Sequence, residues 1–516
     1  MPREPLRLDA YYRKLLARFG ERPAIRYRDR ELSYRELDER TAKLAAAFRS
    51  MGLRNDRRVA VLMANRPEFL VTEIAAARAG VVCVPMNSQL DAEHVRRVLE
   101  DADASALVVG PEFIDVAREI QRELFDLRYL IAVCEDCDLP VGFQSYEALL
   151  ERESPTPPSV AVDPGDVASV FYTGGTTGPQ KGVMHTHESL VINAAAHIHE
   201  LDVRRHERVL LSTPLAHSAN FVARAGLAQG ATLVLQPGFD AGRVLAAIER
   251  EEITWTFLVP TMLGRLLRDD RIGSTDVDSV DTVVYGAAPM PPALVEEGIE
   301  RFGQVFVQVY GLIEAPDVVT TLHKHRHQPR QGAVLDTVGY PTGYADVRIE
   351  EEPRWGEDVG EIHVRAAFGM AGYHGRGDDG GEWIPTGDLG RIDDEGRLVV
   401  LDRAQDVIHT GDRPVFSTRV EAVVQRHPSV RAVAVIGVPA AHEPTPVRAH
   451  RAEVDQAVKA VVATVEGGQL ALEGVREFCA DHLADHELPD SVDFVGELPE
   501  TPYGKVDKRS LRQPYW

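Results

Sequence analysis

The sequence lacks long apolar runs and has few cysteines. None of its stretches reaches the ~18 consecutive apolar residues of a membrane-spanning helix, and the opening MPREPLRLDAYYRK has no apolar core of a signal peptide. We therefore expect a cytoplasmic protein with no membrane span. Its four cysteines are at positions 83, 134, 137 and 479. Cys134 and Cys137 form one CxxC with no second pair or histidine at metal spacing, which favours reduced thiols over a zinc site.

Positive charge is also scarce. The chain carries 57 Lys and Arg against 80 Asp and Glu, a formal net charge of −23. This balance argues against nucleic acid or an anionic membrane as the main partner, although a local basic pocket for an anionic substrate stays open. Only 7 of the 57 basic residues are lysines. A lysine beside glycines therefore invites a chemical explanation, and Lys181 and Lys505 are two such residues.

What the chain has is length and an ordinary globular composition. At 516 residues it is too long for one core, so we expect two or more domains. Apolar strand patterns alternate with helical patterns over residues 23–110 and again over 167–311. This alternation predicts mostly parallel, doubly wound α/β sheets, with ligands at the carboxyl ends of the strands.

The second half of the chain has a different pattern. Residues 335–402 show short strands and Gly-rich turns, which predict a small β-rich subdomain. Residues 406–516 show two helices and two strands of their own, which predict a separate small α/β domain. The junction is expected within DRAQD, residues 402–406.

The segment FYTGGTTGPQKG, residues 171–182, is a candidate anion loop. Glycine lets a backbone approach a ligand closely, and threonine hydroxyls with Lys181 can hold an anion. The loop follows a predicted strand and precedes a predicted helix, a context in which a helix N-terminus binds phosphate. It is not a Walker A loop, because no Ser or Thr follows Lys181. Taken alone, an ordinary Gly-rich turn is the alternative.

Five further motifs follow in order: GAAP at 286–289, YGLIE at 310–314, TGD at 386–388, DRAQD at 402–406 and PETPYGK at 499–505. Together with the loop they resemble the adenylate-forming superfamily, in its acyl-CoA synthetase branch, along nearly the whole chain. The resemblance implies an AMP-binding domain over 1–402 with two doubly wound sheets and the β-rich subdomain. It also implies a hinge over 403–405 and a mobile C-terminal domain over 406–516.

Such enzymes join a carboxylate to AMP with release of pyrophosphate, and CoA or a carrier thiol then displaces the AMP. The resemblance thus implies ATP or acyl-AMP, CoA and Mg²⁺. It assigns ATP and AMP binding to Thr173, Gly174, Gly175, Thr176, Thr177, Gly178, Lys181, Gly286, Ala287, Ala288, Pro289, Tyr310, Gly311, Ile313, Asp388 and Arg403. Of these, Tyr310 would stack on adenine and Asp388 would accept both ribose hydroxyls.

Other roles are implied in the same way. Glu314 would hold Mg²⁺, for which a carboxylate is a suitable ligand, and Lys505 would bridge the substrate carboxylate and the α-phosphate. His217 would line the acyl pocket near the approach of the thiol, and Gln405 would be the hinge residue. The CoA tunnel would include Thr410, Gly411 and Asp412. Individually, Asp388 is also typical of a turn and Lys505 of a solvated surface, and we interpret His185 and His187 as structural.

Several positions depart from the family pattern. Gln180 replaces a proline and Ile313 replaces a threonine whose hydroxyl donates to the α-phosphate, while Asp412 replaces a tunnel glycine. One hypothesis is that adenylation is weakened, so that the enzyme chiefly converts acyl-AMP supplied by a separate adenylating enzyme. The retained Lys505 argues for adenylation activity. The segment 440–462 is longer than usual, which predicts a surface loop insertion.

The acyl pocket is expected to be apolar. The family binds amino acids with an aspartate near residues 217–221, and HSANF has none, so a hydrophobic non-amino carboxylic acid is expected. Fatty, aryl and polycyclic natural-product acids all stay open. Two alternatives to a CoA ligase are an enzyme that loads acyl or aminoacyl groups onto a carrier protein and a non-catalytic homologue that only binds ligands.

Overall fold

A computed structural model describes residues 5–54, 57–134, 138–174, 180–327, 335–377, 381–411, 413–440, 455–465, 468, 470–501 and 506–516. Gly175, Thr176, Thr177, Gly178, Asp412 and Lys505 lie outside these residues, as do Cys137 and most of the predicted insertion. Among the residues described, none of the helices is long and apolar enough to cross a membrane.

The first 152 residues alternate strands and helices as predicted. The elements are α1 (Leu8–Phe19), β1 (Pro23–Tyr27), β2 (Arg30–Ser33), α2 (Tyr34–Ser50), β3 (Arg58–Leu62), α3 (Pro67–Ala79), β4 (Val82–Met86), α4 (Ala92–Asp101), β5 (Ala104–Val109), α5 (Ile114–Gln121), β6 (Tyr129–Ala132), β7 (Phe143–Ser145) and α6 (Tyr146–Arg152).

The alternation continues beyond the proline-rich connector. The elements are β8 (Val167–Tyr172), β9 (Gly182–Thr186), α7 (His187–Glu200), β10 (Arg208–Leu211), α8 (Ser218–Ala228), β11 (Thr232–Leu235), α9 (Ala241–Glu251), β12 (Trp255–Leu258), α10 (Pro260–Leu267), β13 (Thr282–Tyr285), α11 (Pro292–Phe302), β14 (Phe306–Leu312) and β15 (Ala315–Leu322).

The remainder is rich in strands until the last helices. The elements are β16 (Tyr340–Pro341), β17 (Ala345–Glu351), β18 (Gly360–Ala366), β19 (Gly372–Tyr373), β20 (Ile384–Ile392), β21 (Leu398–Arg403), β22 (Ile408–Thr410), β23 (Arg413–Val415), α12 (Ser417–Val424), β24 (Val430–Pro439), β25 (Gln456–Thr464), α13 (Leu472–Ala480), β26 (Ser491–Val495) and α14 (Lys508–Arg512).

Local sequence explains where the helices begin. Ser33 and Glu36 form a capping box at the start of α2, in which each side chain accepts a hydrogen bond from the other residue's backbone N–H. Thr186 and Ser189 do the same at α7. Such boxes satisfy N–H groups that have no partner within the helix. The strands between the helices are continuous runs of buried residues, as in β5, because both of their faces are covered.

Two large sheets form the N-terminal part. One has nine strands in the order β16-β15-β14-β13-β12-β10-β11-β1-β2, and the other has eight in the order β19-β9-β8-β4-β3-β5-β6-β7. The pairings from β14 through to β1 and from β8 through to β7 are parallel. The largest apolar core joins the two sheets through α1, α2, α3, α7 and α8, and smaller cores lie beneath the helices on their outer faces. This confirms the predicted doubly wound α/β fold.

Two smaller units complete the structure. Strands β17, β18, β20 and β21 form a four-stranded antiparallel sheet, which confirms the β-rich subdomain. Two short strands of the same region, β16 and β19, instead extend the edges of the large sheets. The C-terminal strands β24, β25 and β26 form a sheet packed on α12 and α13.

Two expectations were wrong. The candidate phosphate loop does not lead into a helix, because β9 intervenes and pairs antiparallel with β8. The candidate loop therefore joins the two strands of a β-hairpin, and no helix N-terminus directly follows it. The second correction concerns the thiols: Cys134 is disulfide-bonded, whereas Cys83 and Cys479 are free and buried.

Candidate functional site

The motifs GAAP and YGLIE lie side by side at the carboxyl edge of the nine-stranded sheet. They extend from β13 and β14, which are parallel neighbours. Gly286 is required there, because a Cβ at this position would collide with the carbonyl oxygen of Val309 on β14. The next residue, Ala287, has a left-handed backbone with φ 64°. The chain thus turns sharply where it leaves β13.

Tyr310, Asp388 and Arg403 meet between the large sheet and the small antiparallel sheet. The Tyr310 hydroxyl donates a hydrogen bond of 2.8 Å to Asp388 Oδ2, and Arg403 Nε lies 3.4 Å from Asp388 Oδ1. Burial, followed by the charge of Asp388, raises the pKa of Tyr310 well above its usual range, so the hydroxyl stays a donor. Asp388 and Arg403 face each other because β20 and β21 pair at these residues. Three residues far apart in sequence thus form one polar cluster.

Substitution of Asp388 tests this cluster. Hydrogen bonds to a charged group contribute roughly 1.5–3 kcal/mol, so Asp388→Asn should lower kcat/KM for ATP by about 10- to 100-fold in pyrophosphate release. The variant keeps an acceptor for Tyr310, and its melting temperature should change little. Asp394→Asn, in the exposed turn after β20, is the matched control. Unchanged ATP kinetics in Asp388→Asn would contradict the assignment.

Lys181, Glu314 and Tyr373 form a second cluster near the hairpin loop. The Tyr373 hydroxyl donates to Glu314 Oε1 at 2.8 Å, and the Lys181 ammonium lies 4.7 Å from the centroid of the Tyr373 ring. Strand β19 brings Tyr373 here by pairing with β9. Sequence reasoning missed Tyr373, whose only signal was an aromatic residue within the Gly-rich segment AGYHG. One tyrosine thus orients the predicted metal carboxylate and supports the predicted phosphate lysine.

Tyr373 variants should separate these two contacts. Tyr373→Phe removes one hydrogen bond of about 1 kcal/mol, so the Mg²⁺ concentration that gives half-maximal pyrophosphate release should rise by roughly fivefold. Tyr373→Leu also removes the ring beneath Lys181, so KM for ATP should rise as well. Tyr129→Phe, which loses a similar hydroxyl at a remote strand, is the control. An Mg²⁺ dependence in Tyr373→Phe equal to that of the control would disprove the role given to the hydroxyl.

The base of the hairpin loop is closed by backbone contacts. Thr173 N donates to the Lys181 carbonyl at 3.0 Å, and Lys181 N donates to Thr173 Oγ1 at 3.2 Å. These bonds fix the two ends of the loop, with Gly174 exposed at its start. Whether Gln180 loosens the grip of the loop stays a prediction.

Ile313 lies beside Glu314 with its side chain packed against the main apolar core. Its carbonyl oxygen accepts a hydrogen bond of 2.8 Å from Nε2 of the fully buried His185. Burial lowers the pKa of His185 to about 4, so the ring is neutral at physiological pH. His185 thus holds the backbone at Ile313, which agrees with our interpretation of His185 as a structural residue.

Helix α8 contains the segment that the sequence predicts to line the acyl pocket. Buried polar side chains lie on one of its faces. His217 caps its N-terminus and is half-buried. Arg224, completely buried, forms an ion pair with Glu73 and donates to Tyr12 Oη at 3.1 Å and Asn220 Oδ1 at 2.9 Å. The face of α8 toward α1 and α3 therefore contains a buried polar network, and the hydrophobic character of the acyl pocket stays a prediction.

Residues on both sides of the predicted hinge form hydrogen bonds with the helices α12 and α14. Asp402 Oδ2 accepts hydrogen bonds from Ser417 N at 2.5 Å and Ser417 Oγ at 2.6 Å, at the start of α12. Arg512 of α14 donates to the Gln405 carbonyl at 3.3 Å and pairs with Asp406 at 2.6 Å. The Gln405 side chain is exposed, whereas its backbone carbonyl is held by the last helix.

The segments that flank Lys505 face the N-terminal part. Glu500 and Val506 form a β-bridge, and Asp507 N donates to the Pro499 carbonyl at 2.8 Å. Glu500 also pairs with Arg265 of α10 at 3.1 Å. Thr410 and Gly411 lie at the turn between β22 and β23, where Gly411 N donates to Asp455 Oδ1 at 2.6 Å.

Glu314 is the carboxylate that the sequence assigns to a metal ion in this site. The structure, over the part of the chain it describes, has no group of three or more His, Cys, Asp or Glu side chains placed to hold a metal. Mg²⁺ typically uses one or two protein carboxylates together with substrate phosphates and water. Glu314, near Lys181, fits that type of binding and would hold the ion only together with a phosphate ligand.

Fold, motifs and geometry agree with comparisons to known proteins. The AMP-binding enzyme family matches residues 12–374, and the C-terminal domain of AMP-binding enzymes matches residues 419–505. The chain therefore belongs to the AMP-binding enzyme family, which is the adenylate-forming superfamily, in its acyl-CoA ligase branch. It is an AMP-forming acid–thiol ligase.

Several relatives match along nearly their whole length. A feruloyl-CoA synthase from Amycolatopsis sp is 33% identical over 95% of this chain and 96% of its own. An indoleacetate–CoA ligase from Aromatoleum aromaticum is 33% identical over 95% and 94%. Among solved structures, the amide bond synthetase McbA from Marinactinospora thermotolerans is 30% identical, with a TM-score of 0.86 over 99% of this chain and 100% of its own.

Proposed function

We propose that this enzyme is an acyl-CoA ligase that converts a hydrophobic, non-amino carboxylic acid to its CoA thioester through an acyl-adenylate. The observation that carries the proposal is the meeting of Tyr310, Asp388 and Arg403 in one cluster and of Lys181 and Glu314 in another. The first cluster would serve the nucleoside of ATP, and the second would serve its phosphates and a metal ion. Full-length similarity to CoA ligases for feruloyl and indoleacetate groups supports an aryl acid as the first substrate class to test.

In the first half-reaction, the protein would position ATP and the substrate carboxylate and balance their negative charges. Tyr310 would stack on adenine while its hydroxyl holds Asp388 to accept the ribose hydroxyls. Lys181 would bind the departing phosphates, and Glu314 would hold the Mg²⁺ that neutralises them. Lys505 would place the substrate carboxylate against the α-phosphate. Positioning and charge compensation supply most of the catalysis in such a displacement.

In the second half-reaction, the C-terminal domain would rotate at Gln405. The Arg265–Glu500 pair would have to change, because it joins the N-terminal part to the C-terminal domain. The Arg512 contact ends at the carbonyl of the hinge residue itself. The thiol of CoA would then enter beside Thr410, Gly411 and Asp412 and attack the acyl carbon near His217, releasing AMP. Hinges of this kind concentrate backbone change in a few residues.

An acid panel tests the proposed function. Aryl, fatty and polycyclic acids would be assayed separately for pyrophosphate release with ATP and for acyl-CoA formation from synthetic acyl-adenylates. Lys505→Ala should lose pyrophosphate release by several orders of magnitude and keep thioester formation from supplied adenylate. Arg509→Ala, on the exposed face of α14, is the control. Discharge to a holo-carrier protein but not to CoA would select the carrier alternative, and no thioester from any adenylate would select a non-catalytic homologue.

We also propose that adenylation is the weaker half-reaction. Ile313 supplies no hydroxyl to the α-phosphate, and Gln180 replaces a bracing proline, whereas the groups for ribose and adenine are present. The lost hydrogen bond corresponds to roughly 1.5–3 kcal/mol, or about one to two orders of magnitude in rate.

The double variant Ile313→Thr with Gln180→Pro should therefore release pyrophosphate about 10- to 100-fold faster than wild type, with no change in thioester formation from supplied acyl-AMP. Ile392→Thr, at an exposed strand end, controls for the general effect of an added threonine. Equal rates of pyrophosphate release in wild type and the double variant would disprove weakened adenylation and remove the reason to invoke a separate adenylating enzyme.

A second candidate is transfer of the acyl group to an amine. It is favoured by the similarity to an amide bond synthetase over the whole chain and by the carboxylate of Asp455 at Gly411, in the segment where the family forms its thiol tunnel. Amide formation from supplied adenylate and an amine, without thioester formation from CoA, would select it.

A further inference from the structure

Strand β20 makes a wide bulge at the TGD motif. Between two positions that pair with each other, β18 has one residue, Ile362, whereas β20 has the three residues 386–388. Such bulges end regular pairing locally and re-aim side chains, and they are frequent beside active sites. Gly387, in the middle of the bulge, has a left-handed φ of 73°, which favours glycine. Asp388, at its end, accepts the hydrogen bond from the Tyr310 hydroxyl.

The side chain of Glu361 on β18 holds the middle of this bulge. Its Oε1 accepts a hydrogen bond of 3.0 Å from Gly387 N. The carbonyl oxygen of the same glycine accepts a hydrogen bond of 2.9 Å from Ala404 N, next to the predicted hinge residue. Both polar backbone groups of Gly387 thus have partners, and the partner of the N–H group is a side chain of the neighbouring strand.

The hydroxyl of Thr386 fixes the two ends of the bulge. Thr386 Oγ1 donates to the Ile362 carbonyl at 2.8 Å and accepts from Asp388 N at 3.1 Å. These bonds do not involve the N–H group of Gly387. Because glycine populates left-handed and right-handed backbone conformations about equally, an external partner for its N–H group decides which one is populated. Glu361 is that partner.

Glu361 lies opposite a second carboxylate in the small sheet. Strand β17 places Glu350 directly across from it, and like charges in such positions destabilise a sheet. His363 Nε2 lies 2.9 Å from Glu350 Oε2 and 3.9 Å from Glu361 Oε2. The imidazole therefore has its closer contact with Glu350. Pairing within the sheet gives no reason for a glutamate at position 361, whereas the Gly387 N–H group does.

We propose that Glu361 is a positioning residue for nucleotide binding, which holds the bulge in the shape that presents Asp388 to the ribose. The inference rests on the proposed function, in which Asp388 accepts the ribose hydroxyls. Glu361 acts through Asp388, because its own carboxylate binds the backbone of Gly387. The alternative role is purely structural, as a link between β18 and β20 that has no specific effect on the ribose.

A pair of nucleotides tests the inference. AMP and 2′,3′-dideoxy-AMP differ only in the two ribose hydroxyls, and calorimetry would give Kd for each. Wild type should bind AMP at least about 10-fold more tightly than the dideoxy analogue. Glu361→Ala should bind AMP roughly 3- to 10-fold more weakly than wild type, a moderate loss because water can bind the exposed Gly387 N–H group. Its affinity for the dideoxy analogue should not change.

Glu350→Ala is the matched control. It removes a carboxylate from the same face of the small sheet and a contact with His363, and it leaves the bond to Gly387 in place. This variant should bind both nucleotides as wild type does. Glu361→Gln keeps an acceptor at the same distance from the backbone and should retain most of the affinity for AMP. In the Asp388→Asn background, Glu361→Ala should change Kd for AMP little further, because the two residues act as a unit.

Three outcomes would overturn the inference and leave the proposed function intact. They are an unchanged preference for AMP in Glu361→Ala, equal weakening of both nucleotides in that variant, and additive losses of AMP affinity when Glu361→Ala is combined with Asp388→Asn. Equal binding of AMP and the dideoxy analogue by wild type would instead overturn the ribose assignment of Asp388 in the proposed function, and the inference with it.

Discussion

The hydrogen bond from Tyr310 to Asp388 is the contact on which the proposed site depends. It joins the end of a strand in the nine-stranded sheet to a strand of the small antiparallel sheet, and Arg403 adds a charge at the same carboxylate. Burial keeps the tyrosine protonated, so the hydroxyl donates and the aspartate accepts. In the proposed site, the groups assigned to adenine and ribose would thereby be held relative to each other before a ligand binds, which would reduce the cost of ordering them.

The electrostatics of the chain are consistent with this arrangement. A protein with 23 excess negative charges must bind a triphosphate with a few well-placed cations. Lys181 rests on the Tyr373 ring, and Arg403 lies beside Asp388. At the predicted hinge, one arginine likewise makes two contacts, because Arg512 donates to the Gln405 carbonyl and pairs with Asp406. These pairs limit side-chain motion around groups that would otherwise repel an anionic ligand.

Much of the fold followed from local patterns. Apolar runs such as β5 and the change to short strands after residue 335 each depend on neighbours in sequence, and each was predicted. The hairpin at the phosphate loop was not, because β9 is short and ends at Thr186, the cap of α7, so the loop was predicted to lead directly into a helix. Tyr373 was missed for a related reason: its partner strand lies nearly 190 residues earlier in the chain.

The sequence by itself determined the fold class, the family and the identity of the motif residues, because six ordered motifs and strong periodicity depend only on the order of residues along the chain. Only the tertiary structure decided which of those residues meet. The hydrogen bond between Tyr310 and Asp388 requires a sheet register accurate to a single residue, and a shift of one residue would move each side chain to the opposite face. That register is fixed by packing across the whole core.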